Sequence, residues 1–221
     1  TAEVLRHQRV NVTARLGLTR LHSEAGNLNG QVLTIFALGR TSVVQGLPVP
    51  SYYGLKVMNP DAFANPVIQP DQFLGSAFAT RIWSPGISVK AFTRYTFDAQ
   101  GEWQIGGHNL NAIGYQNANL AAWQPCFAAQ DKMRRAAAGD SSALADVNAL
   151  ERARCTINTS IARDYASWVE SADFFKLRSI SVTVDLPRKY LLGARNGSLA
   201  PAARNLYTTT KYTGTDPESS D

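Results

Sequence analysis

Carboxylates, histidines and cysteines are the side chains of this sequence that could do acid–base, metal or thiol chemistry. The three histidines, His7, His22 and His108, have no second His, Cys or carboxylate at a spacing that would build a metal site. A glycan hydrolase needs two carboxylates at a defined separation, and the spacing singles out no pair among Asp98, Glu102, Glu170 and Asp173. A nucleophile elbow, a P-loop and the HExxH and CxxC motifs are also missing. We therefore expect a protein that is not an enzyme and that uses no metal or cofactor.

The two cysteines, Cys126 and Cys155, leave two alternatives, a disulfide or two free thiols. A catalytic thiol needs a nearby histidine that acts as its general base, and the sequence shows none near either cysteine. A disulfide closing a loop of this size would contribute about 3–4 kcal/mol in the chain-entropy model, and it would require an oxidising compartment. We expect the disulfide.

The basic residues are spread along the chain. The formal net charge is +5 and the sequence pI is about 9.4. A nucleic-acid-binding protein would be expected to concentrate Lys and Arg on one segment or face. The scatter instead favours a solvated surface or a rim near anionic lipid headgroups, and we expect no nucleic-acid partner.

Alternation of apolar and polar residues predicts β-strands in several segments. Strands are expected at about 9–19, 31–38, 173–186 and 202–212, and the clearest alternation covers 87–98. A turn at 99–101 would close a hairpin after that last strand. The apolar parity of the segment 173–186 switches near Ser179, which indicates either a β-bulge or a strand that leaves an apolar slab for water.

Two segments break the strand pattern. Residues 46–76 hold five of the ten prolines and have no sustained period, so they are expected to form a long loop. Residues 117–165 are Ala-rich and predict two short helices inside a long excursion, with the N-cap of the second near Ser142. The whole chain, 1–221, is thus expected to be a single antiparallel all-β segment with a helical insertion at about 117–165.

Three blocks near the end of the sequence form a recognisable series: ADFFKLRSISV from Ala172, DLP from Asp185, and RNLYTTTKYTGTDPE from Arg204. They resemble a strand, a turn and a following strand-and-loop near the C-terminal end of SusC/RagA-type TonB-dependent outer-membrane receptors. A weaker match is VVQGLPVPSYYG at 43–54. The residues that carry the main motif are Asp173, Phe174, Leu177, Arg178, Asn205, Leu206, Tyr212, Gly214, Asp216, Pro217 and Glu218.

The resemblance implies a piece of a transmembrane β-barrel of about 22 strands in the bacterial outer membrane. Such receptors import glycans, peptides or similar nutrients, are energised by TonB, and usually work with a SusD-like lipoprotein. The insertion at 117–165 would be an extracellular loop. The family's N-terminal plug domain has no counterpart in these residues, and its members continue with a further strand beyond the DPE loop, so we expect a segment of a longer receptor.

The alternation also assigns faces within such a barrel. Lumen-facing positions would include Arg15, Lys90 and Arg94, and membrane lipid would contact Val10, Val12, Leu16, Ile87, Val89 and Tyr95. The alternative is a derived open β-sheet domain without transport activity. It would serve as an accessory or scaffolding subunit in the periplasm and bind other subunits of a membrane complex through 46–76 or 117–165.

Overall fold

Antiparallel β-strands dominate the computed structural model, which describes residues 1–35, 41–157, 165–190 and 195–218. The strands are β1 (Ala2–His7), β2 (Val10–Arg20), β3 (Leu33–Ile35), β4 (Thr41–Val43), β5 (Ser51–Val57), β6 (Ile68–Ser76), β7 (Arg81–Ala91), β8 (Tyr95–Ile105), β9 (His108–Leu110), β10 (Val169–Ser171), β11 (Phe174–Asp185), β12 (Ser198–Leu199) and β13 (Ala202–Thr210). The α-helices are α1 (Ala112–Asn119), α2 (Phe127–Ala137) and α3 (Ala149–Cys155). The predicted all-β antiparallel fold class with a helical insertion is confirmed.

The strands divide between two compact units. Unit 1 comprises Thr1–Leu21, Thr80–Ile105 and Asp173–Thr210, and unit 2 comprises His22–Ala79, Gly106–Ala172 and Lys211–Asp221. The sheet of unit 1 has the order β1-β2-β7-β8-β11, and both β12 and β13 pair with β11. Every pairing within this sheet is antiparallel.

The hairpin of β7 and β8 turns at residues 92–94, so the predicted turn at 99–101 is wrong. Phe92 has φ 49° and Thr93 has φ 60°, the left-handed pair that a type I′ turn requires. The Arg94 amide donates to the Ala91 carbonyl oxygen at 3.3 Å. Arg94 therefore lies in this turn, although the alternation had placed it in a strand with a lumen-facing side chain.

The register explains why the alternation hid this turn. Ala91 pairs with Tyr95, and Ile87 pairs with Ala99. Odd-numbered residues of β7 therefore pair with odd-numbered residues of β8. The apolar residues are odd-numbered on both sides of the turn, so the alternation continues as if the strand were unbroken. Since neither central residue of the turn is Gly, Asn or Asp, the composition gave no other signal.

A β-bulge at Arg178 accounts for the switch of apolar parity in β11. Leu177 pairs with Gly101 and Ser179 pairs with Gln100, which leaves Arg178 as the extra residue. A Cβ atom at Gly101 would lie 2.9 Å from the Phe175 ring, so that ring lies over Gly101 on the same face. Of the two alternatives raised by the sequence, the bulge is confirmed.

Residues 46–76, expected to be a long loop, contain the hairpin of β5 and β6, and that prediction is wrong. These strands belong to the second sheet, of order β3-β4-β5-β6, in unit 2. Their pairing shifts register twice, between Tyr52 and Tyr53 and between Gly54 and Lys56. Because each shift breaks the period of two, alternation could not reveal the strands.

The helical insertion agrees with the sequence in its elements and differs in its cap. The two helices predicted within 117–165 are α2 and α3, and α1 begins before that range. The N-cap of α3 is Asn148, whose Oδ1 accepts a hydrogen bond of 2.8 Å from the Glu151 amide, so the expectation of a cap near Ser142 is wrong.

Of the strand predicted at 31–38, residues 33–35 are β3 and residues 36–38 lie outside the described residues.

The core of unit 2 lies between its helices and the strands β5 and β9. Tyr52, Leu110, Val147 and Trp168 are buried there. The Tyr52 hydroxyl donates to Asn109 Oδ1 and accepts from the Leu110 amide, both at 3.3 Å, and burial raises the pKa of Tyr52. The predicted disulfide is confirmed: Cys126 and Cys155 are bonded within this cluster, with their Cα atoms 5.3 Å apart.

The disulfide should supply a measurable share of the stability of unit 2. Replacing Cys126 and Cys155 by serine reopens a loop whose ends are 29 residues apart, and we expect the free energy of unfolding to fall by about 3–4 kcal/mol. Urea denaturation followed by tryptophan fluorescence measures the change. Reductant should lower the wild-type value similarly and leave the double serine variant unchanged; an insensitive wild-type protein would contradict the prediction.

Candidate functional site

The sheet of unit 1 presents one continuous apolar face, which the register defines. This apolar face consists of Val10, Val12, Ala14, Leu16 and Leu18 of β2, Trp83, Pro85, Ile87, Val89 and Ala91 of β7, Tyr95, Phe97, Ala99, Gly101 and Trp103 of β8, and Phe175, Leu177, Ile180, Val182 and Val184 of β11. Leu16 is 61% exposed, Ile87 40% and Tyr95 48%. Contiguous exposed apolar surface on this scale marks contact with lipid or another protein.

The opposite face of the same sheet is polar and carries paired charges. Arg15 Nη2 lies 3.9 Å from Asp98 Oδ1. Glu102 Oε1 accepts hydrogen bonds from Arg178 Nη2 and from Gln104 Nε2, both at 2.7 Å. Lys90, predicted to be lumen-facing together with Arg15, pairs in register with Asn11 and Thr96 on this polar face.

Six of the eleven motif residues lie in unit 1, around β11 and β13. Phe174 is buried beside two cations: Lys176 Nζ lies 5.5 Å and Arg178 Cζ 5.9 Å from its ring centroid. Leu177 belongs to the apolar face, and the Asp173 carbonyl oxygen accepts a 2.8 Å hydrogen bond from the Thr210 hydroxyl.

The β11–β13 ladder is irregular at two motif residues of β13. Between the pairs Leu177–Tyr207 and Ser179–Arg204, β13 has two residues, Asn205 and Leu206, opposite one in β11. Asn205 has φ 52°, a left-handed conformation that Asn adopts more readily than most residues. The motif therefore includes residues on both strands that form the bulges.

The other five motif residues lie in unit 2 and form its C-terminal loop. The buried Tyr212 donates its hydroxyl proton to the Leu110 carbonyl oxygen at 2.9 Å. A Cβ atom at Gly214 would lie 2.4 Å from the Tyr212 ring, so this position requires glycine. Asp216 Oδ1 accepts from the Glu218 amide at 2.9 Å, and Pro217, between them, is half-buried.

A buried carboxylate holds this loop to the helices. Glu170 accepts hydrogen bonds from the Thr213 amide at 2.9 Å and from the Thr213 hydroxyl at 2.8 Å. Asn111 Nδ2 donates to Thr213 Oγ1 at 2.8 Å, and Asn111 Oδ1 caps α1 by accepting from the Gly114 amide. Arg154 Nη1 lies 3.2 Å from Glu170 Oε1. We refer to Asn111, Arg154, Glu170 and Thr213 as the motif cluster.

Arg154 is held on three sides. Its Cζ lies 5.5 Å from the Trp168 ring centroid, and its Nε donates to the Ser167 carbonyl oxygen. Burial lowers the pKa of the Arg154 guanidinium from its ordinary value, and the Glu170 carboxylate acts in the opposite direction. The members of the motif cluster come from four distant parts of the chain, so no spacing in the sequence could have revealed it.

A cavity of about 250 Å³ adjoins the motif cluster in unit 2. Its lining includes the Trp123 and Trp168 side chains, the Cys126–Cys155 disulfide and Glu151. Of the four carboxylates considered for a hydrolase, Asp98, Glu102 and Glu170 each lie within 4.0 Å of an arginine nitrogen. In the described part of the chain, His, Cys, Asp and Glu form no group of three that could hold a metal ion.

None of the described helices is both long and apolar enough to cross a membrane.

The motif cluster should matter more to stability than the exposed ion pairs. Glu170→Gln leaves the partly buried Arg154 without its carboxylate. We expect a loss of about 3 kcal/mol, at the lower end for a buried pair because the Arg154 side chain keeps 24% exposure. Arg134→Gln removes an exposed pair with Asp131 and should cost less than about 1 kcal/mol. Urea denaturation measures both, and equal losses would contradict the prediction.

Comparisons with known proteins add structural relatives. No protein-family model matches the chain, and no curated protein matches it. Solved structures do match it, among them the RagAB peptide importer in its closed-closed state (18% identity, TM-score 0.62), the RagAB peptide transporter (16%, 0.63) and the RagAB importer in its open-open state (17%, 0.63).

Each match covers 98% of this chain and 25–26% of the RagAB chain. The chain thus spans about a quarter of the length of the chains it matches. At these identities the similarity concerns the fold: the fold of this chain matches a β-rich piece of the RagAB importer chains.

Proposed function

We propose that the chain is part of a SusC/RagA-type outer-membrane receptor that takes up nutrients such as peptides or glycans. The observation that carries the proposal is the two-faced sheet of unit 1, whose fold matches a piece of a peptide importer. In a barrel of this kind, the outer face contacts lipid and the inner face contacts water.

The apolar face supports contact with lipid. All six residues assigned to lipid from the sequence, Val10, Val12, Leu16, Ile87, Val89 and Tyr95, belong to this face in the register. In a water-soluble domain, a face of this composition would be packed against a second layer. Leu16, Ile87 and Tyr95 are instead exposed.

The polar face supports contact with an aqueous lumen. Its charges are arranged in pairs across neighbouring strands, with Arg15 near Asp98 and Arg178 bonded to Glu102. Pairing of this kind would let the lumen wall carry charge next to water. A SusD-like lipoprotein and TonB are the partners of this proposal, in which the insertion at 117–165 is an extracellular loop.

Arginine substitutions on adjacent residues of β7 test the lipid assignment. Arginine at the bilayer mid-plane costs about 2–4 kcal/mol in transmembrane barrels, so Ile87→Arg, near the middle of β7, should lower the amount of folded receptor in the outer-membrane fraction several-fold. Ser88→Arg makes a comparable change on the polar face and should remain near the wild-type amount. Immunoblotting of membrane fractions from cells that express the full-length receptor measures both.

Equal tolerance of the two substitutions would show that the apolar face does not contact lipid.

The transport part is tested separately by the accumulation of fluorescent peptides and glycans in cells with and without the gene. Unchanged accumulation of both nutrient classes on deletion would contradict uptake, even where the protein is inserted in the membrane.

A further inference from the structure

We propose that the cavity in unit 2 binds one basic side chain of a peptide, with Glu151 as the residue that selects its positive charge. The choice of a peptide as the carrier rests on the proposed function. The argument for a cation rests on the cavity alone, whose lining belongs entirely to unit 2.

The size and walls of the cavity suit a single side chain. Its volume of about 250 Å³ is below the roughly 300–1,000 Å³ of pockets that hold a drug-sized ligand. The walls include Leu150, Pro125 and the two tryptophans. Lys and Arg bury their methylene stems along apolar surface of this kind while the charged end seeks a polar partner.

The two tryptophans offer an aromatic surface to a cation. The Trp123 and Trp168 ring centroids lie 6.3 Å apart with an interplanar angle of 78°. Arg154 already stands over Trp168. Among the described residues no Lys or Arg stands over the half-buried Trp123, which leaves that ring available to a bound cation.

The charge of the cavity favours a cation. Arg154 lines the cavity, and its charge is compensated by Glu170 behind the lining, at 3.2 Å. Glu151 also lines the cavity, and within the described ranges its carboxylate contacts no cation and accepts no hydrogen bond. Its negative charge is therefore uncompensated. In a partly desolvated site, a bound ammonium or guanidinium group would neutralise this charge and donate hydrogen bonds to the carboxylate.

The cavity is also held in shape before any ligand arrives. The Cys126–Cys155 disulfide forms part of its wall, and Thr213 is fixed by two hydrogen bonds to Glu170. The Asn148 cap fixes the first turn of α3, which carries Glu151. A site that is already formed loses less affinity to the ordering of its own groups.

Calorimetric titration of the purified full-length protein tests the proposal. The probes are two N-acetylated, C-amidated tripeptides that differ only at the central position, lysine in one and norleucine in the other. A charge-assisted contact predicts that the lysine peptide binds about tenfold more tightly. Glu151→Gln should abolish this difference, and Trp123→Ala should weaken binding of the lysine peptide.

The matched control is Glu24→Gln, the same chemical change at an exposed carboxylate of unit 2 that does not line the cavity. It should keep the wild-type preference. Equal affinity for the two peptides, a preference that persists in Glu151→Gln, or no binding of either peptide would overturn the proposal. The wild-type comparison needs no substitution, so it decides the matter even where a variant fails to fold.

The result is separable from the proposed function. A Glu151-dependent preference in a protein whose deletion leaves nutrient uptake unchanged would reject the transport role and support the cavity. Normal uptake together with equal affinity for the two peptides would reject the cavity and leave the transport role supported.

Discussion

The alternation of side chains across an antiparallel sheet is the constraint on which the rest of unit 1 depends. Successive residues of a strand point to opposite faces, and neighbouring strands share those faces only while their registers agree. In β2, β7, β8 and β11 the registers do agree, and the sheet therefore has one apolar and one polar side. A slip of one residue in any strand would expose apolar side chains on the charged face.

The bulges preserve this arrangement where the sequence itself changes parity. The extra residue at Arg178 brings Phe175 and Leu177 onto the same face as Ile180 and Val182. The displaced Arg178 side chain turns to the polar face and bonds to Glu102. The bulge thus brings the Arg178 guanidinium within reach of the Glu102 carboxylate, which is a physical reason for an arginine at that motif position.

Unit 2 is built around buried polar contacts and a covalent link. A buried carboxylate is costly unless it is paired and hydrogen-bonded, and Glu170 meets that condition through Arg154 and Thr213. These contacts hold the C-terminal motif loop against the helices, which the disulfide also ties together. The same groups that stabilise unit 2 thus shape the cavity beside Glu151.

The sequence by itself determined the fold class, the strand character of β2, β11 and β13 and the two helices of the insertion, because these follow from local periodicity. Its count of two cysteines limited Cys126 and Cys155 to a disulfide or two free thiols, and the structure decided for the disulfide. Only the tertiary structure decided the turn at Phe92 and Thr93, the strands β5 and β6, and the motif cluster. The turn keeps the parity of its strands, the hairpin breaks its own period, and Asn111, Arg154, Glu170 and Thr213 meet only after distant segments pack together. Periodicity reports on neighbours along the chain, whereas these features depend on pairing and packing between segments far apart in it.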